Sequence, residues 1–295
     1  MNIIPSARPA RLRVITGAAV LAIAGLITAS QVAPAGATPA AATSTVGHDG
    51  GSAKPTIVLE HGAWADASSW DPVIERLQAA GYTVYAPPDP LGGVSSDAAT
   101  LADFLATISG PVILVGHSYG GMVITNAATG NPNVKALVYV DAFIPAQGDT
   151  TFGLIGAQPG SCIASANAFN IVPYPGAPAG DVDAYLKAGA DAPYPGFAQC
   201  FANGLPASEA AMLAAIQRPI AYSAGSEPSG VPAWLAIPSW SVIGTADHVI
   251  PPAEQLFMSQ RAHAHITEIN AGHLSLLSYP GAVTSVILQA AYATS

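Results

Sequence analysis

The segment around residue 118 limits the possible fold more than any other. Pro111-Val-Ile-Leu-Val115 is an apolar run of strand character. It enters Gly116-His117-Ser118-Tyr119-Gly120-Gly121, and the helix-forming stretch MVITNAAT follows at once. A strand that turns into a helix within so few residues accepts only small residues at 116 and 120, because side chains there would collide across the turn. The turn lifts the Ser118 hydroxyl above the carboxyl end of its strand, and the amide dipole of the following helix points at it. A surface serine in a glycine-rich turn could carry the same G-x-S-x-G letters, but not this strand before them and this helix after them. Ser118 is therefore the candidate nucleophile.

The same alternation runs through most of the chain. Thr56–Leu59, Thr83–Ala86, Pro111–Val115, Lys135–Val140, Ser239–Ile243 and His265–Ile269 are expected as strands, mostly rich in Val and Ile and bounded by Gly, Pro or Asp. Helices are expected over Asp71–Ala80, Asp97–Ile108, Gly120–Thr129, Ala253–Ala262 and Ala282–Ala291. In the first of these, Val73, Ile74, Leu77 and Ala80 share one face, and Gly81 is placed to end it. Strand–helix alternation implies βαβ units: an α/β fold with a mostly parallel sheet of six or more strands, flanked by helices. The pattern breaks over 146–232, which is dense in Pro, Gly, Ala and Tyr, with weaker helices expected at Asp181–Gly189 and Ala207–Ile216. That stretch is expected as a cap inserted into a core made of 54–145 and 233–295.

A serine hydroxyl is a weak nucleophile without an adjacent base and a group that orients the base. In chains that use this turn, the order is Ser, then acid, then His. Ser239–Gly244 leads into Thr245-Ala246-Asp247-His248, which sets Asp247 just past a strand's carboxyl end. His265–Ile269 leads into Ala271-Gly272-His273-Leu274, which sets His273 on the following loop. Asp141, closing the core strand in YVDAF, is the rival acid. The backbone amides of Ala63, in His61-Gly62-Ala63-Trp64, and of Tyr119 are the candidate oxyanion hole, with Trp64 the alternative to Ala63. His61 is read as a loop stabiliser, His117 as packing or hydrogen bonding behind Ser118, and His248 as a loop residue. His263 and His265 form an H-x-H with no third ligand at suitable spacing, so no metal and no cofactor are expected.

Composition excludes several classes. Of 295 residues only 9% are charged and 51% are hydrophobic, unlike a disordered polyelectrolyte. The formal charge is −9, and no basic cluster follows the first fifteen residues, so no nucleic-acid partner is expected. Arg8, Arg11 and Arg13 precede an apolar run from Val14 to Ala29, and Ala35-Gly36-Ala37 offers a small-x-small cleavage site. This is the layout of a secretory signal peptide, residues 1–37, removed after Ala37. The run is interrupted by Thr16, Gly17, Gly25 and Thr28 and falls short of the roughly 20 residues that span a bilayer. Export without a stable membrane anchor is expected, with 38–53 as a flexible leader. In an oxidising compartment the even pair Cys162 and Cys200, both in the expected cap, reads as a disulfide.

HGAW, GHSYGG, GTADHVIPP and AGHLSLL, in this order, resemble the α/β-hydrolase superfamily over nearly all of 54–295, and most closely its branch of methylesterases and hydroxynitrile lyases. From that resemblance Ser118, Asp247 and His273 inherit a catalytic triad, and Ala63 and Tyr119 the oxyanion amides. The lyases carry a lysine directly after the catalytic histidine. This chain has Leu274 there, which favours hydrolysis. An exported serine esterase acting on a small, uncharged, lipophilic ester is expected. A non-hydrolytic lyase and a non-catalytic ligand-binding relative are the alternatives.

Overall fold

The computed structural model describes residues 54–178 and 180–295; the expected signal peptide (1–37) and leader (38–53) lie outside the described residues. In chain order the strands are β1 (Thr56–Glu60), β2 (Val84–Tyr85), β3 (Val112–His117), β4 (Val134–Val140), β5 (Phe169–Val172), β6 (Asp183–Leu186), β7 (Ile220–Ala221), β8 (Ser239–Gly244) and β9 (His265–Ile269). The helices are α1 (Asp71–Ala79), α2 (Val94–Ala106), α3 (Gly120–Ala127), α4 (Thr151–Ala157), α5 (Phe197–Cys200), α6 (Ala207–Ile216), α7 (Pro252–Arg261), α8 (Ser275–Ser278) and α9 (Pro280–Ala293).

Six of the strands form one sheet in the order β2-β1-β3-β4-β8-β9, and every neighbouring pair is parallel. The α/β class and the six expected core strands are thus present. Parallel strands carry helices on both faces, so their central members must be apolar along their whole length. β3 and β8 are buried at every position. Each fully buried Ile, Leu or Val contributes about 1.5–3 kcal/mol from removal of apolar surface from water. Helices α1 and α9 pack together, with α9 against β3, β4 and β8, while α2 and α3 form a second pair, with α3 on β1, β3 and β4. From β1 the chain moves outward to β2, then returns to β3 on the other side. A crevice opens at such a reversal, outside the strands' carboxyl ends, and ligands bind there in sheets of this type.

Tertiary contacts move one expected boundary and change the type of one expected element. Helix α2 begins at Val94 rather than at Asp97, because the Asp97 carboxylate reaches back to accept the amides of Gly92 (3.1 Å) and Gly93 (3.1 Å). It satisfies donors that a helix start leaves open, and the first turn forms ahead of it. The stretch Asp181–Gly189, expected as a weak helix, is built around strand β6 instead. β6 lies between β5 and β7 in an antiparallel three-stranded sheet, with alternate residues buried. Gln217 fastens it further, accepting the Leu186 amide (2.9 Å) and donating to the Leu186 carbonyl (3.0 Å). Ladder pairing on both edges outweighs the helix preference of Ala, Leu and Lys.

The segment between β4 and β8 also holds α4, α5 and α6. Helix α4 (TFGLIGA) forms despite two glycines because Thr150 caps it, accepting the Gly153 amide at 3.0 Å. Cys162 and Cys200 are joined in a disulfide with 5.8 Å between their Cα atoms. The bond ties the loop after α4 to α5, and the Cys162 amide donates to the His248 carbonyl (2.8 Å) in the loop after β8. Closing a loop of 38 residues' separation stabilises by about 4 kcal/mol in the chain-entropy account. Thiol titration of the denatured protein, prepared without reductant, should therefore detect no free cysteine. Reduction and alkylation should lower the unfolding free energy by about that amount; two free thiols in protein produced under oxidising conditions would remove the bridge.

Candidate active site

Ser118 sits where β3 runs into α3, with its backbone in the left-handed region at φ 53°. This conformation is uncommon for a residue with a side chain and marks an imposed geometry. The turn closes so tightly that a Cβ on Gly116 would lie 2.7 Å from the Gly120 carbonyl oxygen. The carbonyls and amides of adjoining elements hold the turn: the Ser118 amide donates to the Val140 carbonyl (3.3 Å), and the Ser118 carbonyl accepts the Phe143 amide (3.2 Å).

His273 lies in the loop between β9 and α8, wholly buried. Its Nε2 accepts a hydrogen bond from Ser118 Oγ (2.9 Å), and its Nδ1 donates to Asp247 Oδ2 (2.8 Å). Asp247 follows β8. Its Oδ1 accepts the amides of Val249 (2.7 Å) and Ile250 (3.1 Å), and its Oδ2 also accepts Gln255 Nε2 (2.7 Å). Three loops at the carboxyl ends of β3, β8 and β9 thus bring Ser118, His273 and Asp247 into one hydrogen-bonded chain. Gln255, on the first turns of α7, is an addition; a glutamine eight residues past the acid carries no signal in the sequence alone. Burial holds the His273 imidazole far below its usual range, at about 3. Burial also raises the Asp247 carboxyl, against the downward pull of the Val249, Ile250 and Gln255 donors. The imidazole is consequently neutral, with its proton on Nδ1 and Nε2 free to accept.

Asp141 does not reach His273. It closes β4 with φ 45°, and its carboxylate accepts the Gly244 amide (2.8 Å) at the foot of the Asp247 loop and the Ser275 amide (3.1 Å) just after His273. His117 lies beneath the serine and donates from Nε2 to the His273 carbonyl (2.9 Å). His61 accepts the Asp89 amide at Nε2 (3.0 Å) and donates from Nδ1 to the Gly62 carbonyl (2.9 Å). His248 contacts the Gln199 carbonyl (2.8 Å), and His265 stacks on Trp240. Among the described residues no group of three or more His, Cys, Asp or Glu is arranged to hold a metal ion.

The loop after β1 approaches the serine closely, for a Cβ on Gly62 would lie 2.6 Å from Ser118 Cβ. Among the described residues, the amides of Ala63 and Tyr119 have no protein acceptor. The Trp64 amide is engaged, donating to the Arg218 carbonyl at 3.0 Å. Trp64 itself is left-handed at φ 59°, and its indole N–H donates to the Ala184 carbonyl of β6 (2.9 Å). Ser118, Ala63 and Tyr119 border a cavity of about 30 Å³, whose walls also include Trp64, Phe143, side chains of α4, Phe169 and Tyr222. Phe201, adjacent to the disulfide, packs its ring 5.2 Å from that of His273.

Residues 57–286 match the model of the alpha/beta hydrolase family. The chain belongs to that family. This α/β hydrolase is 38% identical over 112 residues to a carbendazim hydrolyzing esterase of Nocardioides sp. (strain SG-4G), covering 34% of its own chain and 46% of that protein. It is 38% identical over 115 residues to a pyrethroid hydrolase of Sphingobium wenxiniae, covering 34% of its own chain and 41% of that protein. The matched region thus spans less than half of either relative. The crystal structure of a pyrethroid hydrolase from Sphingobium faniae JZ-2 has the same fold, with a TM-score of 0.61 at 22% identity, covering 81% of this chain and 98% of that one. Leu274, at the position where the resemblance calls for a lysine in the lyases, is buried and lines a narrow gap beside Trp64 and Phe201.

The Asp141 clamp makes a testable statement about stability. Asp141→Ala leaves the Gly244 and Ser275 amides buried without an acceptor, at about 1–3 kcal/mol each. Chemical denaturation should show a loss of about 2–6 kcal/mol, and a loss below about 1 kcal/mol would mean that the two bonds carry little.

Proposed function

We propose that this α/β hydrolase is an exported serine esterase that cleaves a small, uncharged, lipophilic carboxylic ester through Ser118, His273 and Asp247. The observation that carries the reading is the unbroken chain from Ser118 Oγ to His273 to Asp247, beside an apolar cavity and two unengaged amides. Its similarity to proteins named as a carbendazim hydrolyzing esterase and a pyrethroid hydrolase supports ester cleavage. The signal-like layout of 1–37 supports export, and no helix among the described residues is long and apolar enough to cross a membrane.

In this reading the ester carbonyl lies over Ser118 Oγ, which attacks as His273 Nε2 takes its proton. Negative charge gathers on the carbonyl oxygen, where the Ala63 and Tyr119 amides receive it. Donors already aimed at that position need no reorganisation as charge develops. Asp247 keeps the imidazole proton on Nδ1 and stabilises the cation that forms at the transition state. His273 then returns the proton to the departing alkoxide, and water repeats the sequence on the acyl-enzyme. Each step uses the chain's own residues, with no cofactor. The cavity admits only about two water molecules as it stands, since one water needs roughly 10–15 Å³. The aromatic roof therefore gives way when an ester enters, with residues 146–232 acting as a cap. Leu274 places no cation where a lyase would hold cyanide, so hydrolysis is favoured over that alternative.

Ser118→Ala tests the reading. On a p-nitrophenyl ester that the wild-type protein cleaves, kcat should fall on the order of 10⁶-fold, with the melting temperature nearly unchanged. A variant that keeps more than half the activity would end the serine-esterase reading. The acid limb of kcat/KM should lie well below pH 6.5, because burial lowers the proton affinity of His273 and the neutral, accepting form persists as pH falls. A limb at or above pH 6.5 would contradict this.

A further inference from the structure

The wall of the cavity above Ser118 is hydrocarbon and aromatic, with one exception. Thr151, the first residue of α4, is 8% exposed, and its Oγ1 has no hydrogen-bond partner among the described residues. Among the side chains that line this cavity, Thr151 Oγ1 is the one polar atom that is buried without a partner among the described residues. Of the other polar side chains of the wall, Tyr119 donates its hydroxyl to Asp97 (2.9 Å), Trp64 its indole N–H to Ala184 (2.9 Å) and Ser118 its hydroxyl to His273 (2.9 Å), while Tyr222 is 41% exposed and so open to solvent.

Threonine at a helix start ordinarily spends its hydroxyl on the open amides of the first turn. Here Thr150 does that, accepting the Gly153 amide (3.0 Å), so the neighbouring hydroxyl is superfluous to the helix. A buried hydroxyl without a partner is costly, and valine would fill the same space without that cost. Around it, Phe152 and Tyr222 pack at 5.0 Å between ring centroids with tilted planes, and Tyr222 meets Phe169 edge-on at 6.4 Å, so three aromatic rings stand together in the same wall. The wall presents no charged side chain.

We propose that Thr151 Oγ1 is a specificity-determining hydroxyl that donates a hydrogen bond to a second, uncharged acceptor oxygen of the substrate, an ether or carbonyl oxygen carried in an otherwise apolar, aryl-bearing group. The proposal rests on the serine-esterase reading and adds a substrate class to it: aryl esters with one internal acceptor. Discrimination arises because the analogue with a methylene at that place leaves the hydroxyl unpaired in the closed complex. Sites built to hydrogen-bond a substrate atom reject its absence for this reason.

The test uses p-nitrophenyl esters of phenoxyacetic, phenoxypropionic and phenoxybutyric acids. Each is paired with the carbon analogue in which a methylene replaces the ether oxygen. Dividing the oxygen-to-carbon ratio of kcat/KM in the wild-type protein by that in Thr151→Val cancels the intrinsic reactivity of each ester. At one oxygen position the wild-type preference should exceed that of Thr151→Val by about 3- to 10-fold, the worth of one net hydrogen bond. Thr151→Ser should retain the preference, and the carbon analogues should react with Thr151→Val at least as fast as with wild type. Ratios that agree within twofold at every position would overturn the proposal. If Thr151→Val folds poorly, Thr151→Ala provides the same ratio. A wild-type protein that cleaves none of the six esters and is not labelled at Ser118 by a fluorophosphonate would instead remove the esterase reading beneath it, an outcome distinct from equal ratios.

Discussion

The carboxylate of Asp141 accepts the amide of Gly244, where β8 passes into the loop that carries Asp247, and the amide of Ser275, where the loop that carries His273 passes into α8. Strand pairing reaches the first of these points, through Gly244 and Ile269, and the two loops also meet directly, the amides of Thr245 and Ala246 donating to the carbonyls of Ile269 (2.8 Å) and Ala271 (3.0 Å). The buried carboxylate adds a bond on each side of this contact, and it is itself anchored where β4 ends and its amide meets the Val242 carbonyl of β8 (2.9 Å). Sheet pairing, loop-to-loop bonds and Asp141 together hold the imidazole between a carboxylate and a serine. Because the same residue's burial and the nearby Asp247 charge raise its proton affinity, the clamp is held at an electrostatic cost that its two amide donors partly offset.

That cost recurs at the carboxyl ends of the strands. His61, His117 and His273 are all buried and all pushed down, and burial is the first cause in each. On the carboxylate side burial raises Glu60 well above its usual range and Asp89 to about 7, each aided by neighbouring acids. The unfolded chain would take up protons on these histidines near pH 6.5, which the folded chain refuses, so their contribution to stability is lost as pH falls below that value. The carboxyls act in the opposite sense, since the folded chain holds their protons at pH values where the unfolded chain has released them. Polar groups collected beneath the reversal point between β1 and β3 are a burden to folding, tolerated where they hold the loops that meet at Ser118.

The parallel core was legible because its signals are local. Val- and Ile-rich runs bounded by Gly, Pro or Asp need no partner to be recognised, and the tight turn at 116–120 announces itself by its small residues. Ser118, Asp247 and His273 could be put in order along the chain because each follows such a run, and the fold brings the three within hydrogen-bond distance. What escaped depends on distant partners. The pairing of β6 with β5 and β7 and its bonds to Gln217 are invisible along the chain, where Asp181–Gly189 has the composition of a weak helix. Helix α4, with two glycines in seven residues, depends on the Thr150 cap and on Phe152, Leu154 and Ile155 packing inward. Gln255 and Thr151 matter through what they face, and nothing in composition or period marks either.

Trp64 joins the two levels of the molecule. It is left-handed at φ 59°, at a cost of about 1–3 kcal/mol for a residue with so large a side chain. Two bonds hold it there, from its amide to Arg218 and from its indole to Ala184, and both acceptors belong to the chain between β4 and β8. That chain cannot rise from the sheet without breaking both. The strain held at Trp64 is thereby set against two bonds that bridge the loop after β1 and the segment between β4 and β8, and the loss of either bond lets that strain count against the folded state.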